Sequence, residues 1–238
     1  MVINSPDKVS FSELDSVGVA LRQYPGEQNH IAVLFKPDSD ENETMMLHVG
    51  EHKADLLQPP SDRYLWLDLG ESIHPIRKEL LLADVQLIAE VNKNTDIRYG
   101  LDHAVFCLDA ETGRLNNNYD ETIGFTCATF VIEVFLSSGL KLIDWDSWPS
   151  NENKHIDFQK KVFEYLFILR EQNPAKVTFN YLKAQQANIG NSRFTPHEVA
   201  ASTQEATPSL KAGIDDLANE INTRLCENFT QMNSTAEA

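Results

Sequence analysis

The segment GFTCATFVIEVFLSSG, residues 124–139, constrains this chain more than any other stretch. Thr126 is suited to cap a helix, Phe130, Val131, Val134 and Phe135 recur at three- and four-residue spacing, and Gly139 supplies a stop. An apolar helical stripe of this kind has to be covered, so the rest of the chain must provide a surface to enclose it. The same segment places Cys127 in the first helical turn. There the free backbone N–H groups and the helix dipole favour a thiolate, and the backbone N–H is placed to serve an oxyanion.

The covering surface is read from short β-rich runs. HIAVLFK at 30–36 and TMMLHVG at 44–50, joined across a polar turn at 37–43, form a candidate hairpin, and RYLWLD at 63–68 follows the Pro59-Pro60 break. From Pro75, IRKELLLADVQLIAEV has helical spacing and ends at NKNTD. Residues 97–120 read as loop with one short strand near AVFCLD, and loops of that length in compact domains are often functional. Helices are expected at about 155–171 and 174–187, and in FTPHEV Thr195 caps a turn entering a helix at Pro196. The expected fold class is α+β: a small antiparallel sheet packed against the core helix bearing the cysteine, with additional C-terminal helices. Residues 1–202 form one domain, and 203–238 a polar C-terminal tail with a candidate amphipathic helix at 209–229.

Composition sets the boundaries of function. Of the 238 residues 42% are apolar, which fills a real core, while a formal charge of −16 without Lys/Arg clusters argues against nucleic acid and anionic membrane surfaces as partners. The N-terminus lacks a basic-then-apolar signal, and no apolar run reaches the roughly 18 residues that span a bilayer. Cys107, Cys127 and Cys226 are odd in number, widely separated and form no CxxC pair, so a reducing cytoplasmic setting is expected. No GxGxxG or GxxxxGK[ST] spacing points to a nucleotide, and no cofactor is expected.

A thiol nucleophile needs an imidazole, and the imidazole needs a polar neighbour to orient it. His30 opens the first apolar strand, at a rim where its ring can face a cleft. His48 lies on the next strand, with Glu51 and His52 close behind. Taken with Cys127, these residues resemble a known arrangement. The order HIAVLF, LHVGEH, a long loop and then GFTCATFVIEVF, over residues 28–140, is similar to the circularly permuted papain-like fold. Its members include the lecithin:retinol acyltransferase-like and YiiX-like proteins, with the NlpC-type peptidases as the oppositely ordered relatives. The resemblance implies Cys127 as nucleophile, His30 as base and His48 as the residue that orients it, with Glu51 and His52 as reserves because a one-residue slip exchanges faces. It also implies Tyr99, with Thr126 and the Cys127 N–H, as support for an oxyanion. The acyltransferase group's Asn-Cys-Glu-His is Thr-Cys-Ala-Thr here, so lipid acyl transfer has no motif. The expected chemistry is cysteine-dependent hydrolysis or transfer at an amide or ester bond of a peptide or other acyl substrate. Two alternatives stand beside it: a papain-like scaffold that binds without turnover, and a zinc site built from His30, His48 and His52 with Glu51.

Overall fold

The computed structural model describes residues 2–26, 28–37, 43–54, 56–103, 106–205 and 208–236. Among them the chain is α+β, with one five-stranded antiparallel sheet and six α-helices. The strands are β1 (Val17–Tyr24), β2 (Gln28–Phe35), β3 (Met45–Leu47), β4 (Leu57–Gln58) and β5 (Leu65–Asp68), in the order β4-β3-β2-β1-β5. The helices are α1 (Pro75–Asn92), α2 (Cys127–Ser137), α3 (Asn153–Gln172), α4 (Phe179–Ala187), α5 (Pro196–Ser202) and α6 (Lys211–Ala236). None of them is long and apolar enough to cross a membrane.

Two of the five strands correct the three-strand sheet that the sequence alone suggests. β1 runs through VGVALRQY, where Val17, Val19 and Leu21 alternate with small or polar residues, and it pairs with both β2 and β5. Gly18 weakens the strand signal but is required, because a Cβ there would meet the Leu67 carbonyl oxygen at 2.4 Å. β4 is a two-residue edge that pairs with β3. The polar turn expected at 37–43 falls mostly on residues 38–42, outside those described. So do residues 104–105 of the strand expected near AVFCLD, where Leu108 bridges Leu115.

Side chains of a strand alternate between faces, and here the two faces have different covers. Val17, Val19, Leu21, Ile31, Val33 and Phe35 point towards the helices and share one core with α2, on which every residue from Cys127 to Phe135 is buried. Ala20, Ala32, Leu34, Met46, Tyr64 and Trp66 form a second core on the opposite face, closed by Leu14 with Val9 and Phe11 from the N-terminal segment. The amphipathic helix expected in 203–238 is α6. Its Ile214, Ala218, Ile221 and Leu225, at spacings of four, three and four, belong to the helix-side core.

Candidate active site

The helix that carries the thiol is held at its first turn by a reciprocal cap. The Thr129 N–H donates to Thr126 Oγ1 at 3.1 Å, and the Thr126 N–H donates to Thr129 Oγ1 at 2.9 Å. Cys127 is therefore the first residue of α2, and only 6% of it is exposed. Burial pushes its thiol pKa up. The Ile31 backbone N–H, the Arg193 guanidinium and the N–H groups of Ala128 and Cys127 itself work against that by favouring the thiolate. Further along α2, the buried Glu133 accepts from the N–H groups of Phe106 (3.0 Å) and Leu108 (2.8 Å), which fastens the preceding loop to the helix. Burial raises this carboxyl to about 7.

His30 and His48 meet ring to ring. His30 Nε2 lies 3.0 Å from His48 Nδ1, so the two neutral rings adopt opposite hydrogen placements across that bond. Burial lowers His30 to about 3, with the His48 and Arg22 charges adding to it, and lowers His48 to about 4. His48 Nε2 is buried and has no hydrogen-bond partner among the described residues. By parity His30 lies on the Ala32–Leu34 face, and its ring packs edge-on against Tyr64 with centroids 6.3 Å apart. Cys127 belongs to the other face, against Ile31. The thiol and the imidazole pair thus come together only around the rim of β2. There, one cleft of about 460 Å³ is lined by Cys127, His30, His48, Tyr24, Asn29, Glu51, Gln58, Tyr99 and Phe158. Among the described residues no hydrogen bond joins the Cys127 sulfur to either ring.

The remaining candidates separate clearly. Tyr99 lines the cleft, and its phenol pKa is raised by burial and by the adjoining Cys127. Its backbone is pinned by a bridge to Phe125 and by the Tyr181 hydroxyl, which donates to Tyr99 O at 2.7 Å. Glu51 is exposed at the mouth of the same cleft. His52 is turned away: its ring nitrogens face the carbonyls of Lys176 (3.0 Å) and Tyr99 (3.4 Å), and it is 1% exposed. The three imidazoles of the zinc alternative therefore do not converge, and no three His, Cys, Asp or Glu side chains among the described residues do so. Cys107 is buried, its thiol raised to about 12, and Cys226 is exposed on α6.

The sequence alone missed Tyr24, Asn29, Phe158 and Arg193. Asn29 and Tyr24 flank the Pro25-Gly26 turn between β1 and β2, so recognising β1 would have placed them. Asn29 has the helix-facing parity of Ile31 and donates to Asn222 Oδ1 on α6 at 2.9 Å. Phe158 and Arg193 are brought in by tertiary packing, with no local signal. A second hollow of about 490 Å³, between the N-terminal segment and α6, has no thiol or imidazole in its lining. In comparisons with known proteins, the chain matches no family model, no curated protein and no solved structure.

Proposed function

We propose that the chain is a cysteine-dependent hydrolase or acyltransferase of permuted papain-like type, acting on an amide or ester bond in the Cys127 cleft. The observation that carries this reading is the convergence in one cleft of a thiol on the first residue of a helix, a hydrogen-bonded imidazole pair and a tyrosine. His30 is uncharged at neutral pH and is free to accept a proton. On substrate binding it takes the thiol proton as sulfur attacks the carbonyl carbon, and the carbonyl π electrons move onto oxygen. The Cys127 N–H and the Tyr99 hydroxyl donate to that oxyanion. Collapse expels the amine or alcohol, which takes the proton from His30 and leaves a thioester. Water or another acceptor then releases the acyl group and restores the thiol. Catalytic hydrogen bonds are often long before substrate binds, which accommodates the absent thiol–imidazole bond. The three unpaired cysteines are in keeping with a reducing cytoplasmic location.

Two features favour a second reading, a scaffold that binds an acyl compound or peptide without turnover. A base held near pKa 3 has little driving force for proton transfer, and the thiol is raised rather than lowered. Exposure to p-nitrophenyl acetate separates the two. The hydrolase reading expects a burst of p-nitrophenol matched by one acetyl group on Cys127, absent in Cys127→Ser. No burst, or acetylation spread over surface lysines alone, supports the scaffold.

A further inference from the structure

A half-buried cation that makes no ion pair among the described residues adjoins the cleft. Arg193, between α4 and α5, lays its guanidinium carbon 3.6 Å from the centroid of the Phe158 ring. Phe158 is the wall shared by the Cys127 cleft and a small hollow that Arg193 lines together with Thr126 and Thr129, the capping pair of α2. Among the described residues the guanidinium makes no ion pair and no hydrogen bond. The carboxylate whose charge it feels, Glu198, is already occupied by the Thr195 N–H at 2.9 Å and by Lys211 Nζ at 3.2 Å. Of the other groups that feel its charge, Cys127 and Tyr99 are kept neutral by burial, while burial and the guanidinium both lower His155 and His197.

A partly desolvated guanidinium whose N–H donors have no acceptor among the described residues is costly, even in a chain with a net charge of −16. Its planar fork matches a carboxylate bidentately, whereas stacking on an aromatic ring fixes its plane without using a donor. The Phe158 stack therefore leaves the fork held in place and unused behind the wall of the Cys127 cleft, at the Thr126–Thr129 cap of the helix that carries the thiol.

We infer that Arg193 is the anion anchor of the Cys127 cleft, holding a carboxylate of the substrate next to the thiol, so that the preferred acyl donor is an acidic one. This rests on the cysteine-hydrolase reading and adds a substrate class to it.

The test compares two alkylating probes of nearly equal size, iodoacetate and iodoacetamide, by peptide mass spectrometry at a single pH, so that the thiolate fraction cancels in the rate ratio. Cys226, exposed on α6, is the internal reference. The iodoacetate-to-iodoacetamide ratio at Cys127 is expected to exceed that at Cys226 by about tenfold, the weight of one charge-assisted contact. Arg193→Gln should bring it down to the Cys226 value, and Arg193→Lys should retain part of it. Should Arg193→Gln fail to fold, the wild type still decides. Succinate should protect Cys127 from iodoacetamide while succinamide does not, and a Cys127 ratio at or below that of Cys226 overturns the inference. A Cys127 inert to both probes overturns the hydrolase reading together with it. A reactive Cys127 without charge preference overturns the anion anchor alone.

Discussion

The two faces of the sheet carry the two halves of the candidate site, and they are built differently. The helix-side face is a continuous apolar core in which the thiol is the first residue of an enclosed helix, surrounded by backbone N–H groups and one guanidinium. The opposite face ends in a polar, aromatic-rich cluster, where His30 and His48 hydrogen-bond to each other among Tyr24 and Tyr64. Strand alternation forces this separation: Ile31 faces Cys127, so His30 cannot share its face. The first environment holds the thiol protonated, its N–H groups and guanidinium only partly offsetting burial, and the second holds the imidazoles neutral. Any cooperation between them takes place at the rim.

The largest test of this division is removal of the nucleophile. Cys127→Ser should lower p-nitrophenyl acetate turnover by about 10⁴-fold or to background, with an unchanged circular dichroism spectrum. Tyr99→Phe removes one oxyanion donor from the helix side and should reduce turnover by about 10²-fold, while the rate of Cys127 alkylation stays the same. A smaller change sharpens the comparison directly. Asn29 has helix-facing parity, so Asn29→His in a His30→Ala background puts an imidazole on the same face as the thiol. This should restore part of the lost acylation rate, and a double variant no faster than His30→Ala would mean that face parity is not what limits the pair.

Stability against pH reads each face separately. His48 has a folded pKa near 4, below its ordinary 6.5, so the unfolded chain gains its proton first as pH falls. The stabilisation is full above 6.5 and is lost on descent towards 4. His48→Asn should therefore flatten the fall in Tm between pH 7 and pH 5 by about 4 °C in a chain of this length. Glu133 acts in the opposite sense. Its folded pKa near 7 lies above the ordinary 4.5, so its contribution is full below 4.5 and is lost as pH rises through 7. The Tm of Glu133→Gln relative to wild type should rise over that range by about 5 °C in differential scanning calorimetry.

Local chemistry made the cysteine end legible. The Thr126 cap, the apolar run behind it and Gly139 mark α2 without reference to anything distant, and Pro75, Thr195 and Pro196 mark α1 and α5 in the same way. His30 and His48 were readable because each sits at the end of a β-rich run. β1 was not, because Gly18, Ala20 and Arg22 interrupt its apolar residues, and its alternation has meaning only once β2 and β5 flank it. Without β1 the face of His30 could not be assigned. Arg193 and Phe158 lie far from Cys127 in sequence, and only the packing of α3 and of the segment before α5 brings Phe158 to the cleft and Arg193 against Phe158.

The central claim, that Cys127 attacks an acyl carbon with His30 as its base, is tested most directly by the rate at which p-nitrophenyl acetate places an acetyl group on Cys127 in the wild type and in His30→Ala. The account predicts acetylation of Cys127 ahead of Cys107 and Cys226, slowed by about 10²-fold or more without His30. An unacetylated Cys127, or one acetylated at the same rate in both proteins, would contradict it.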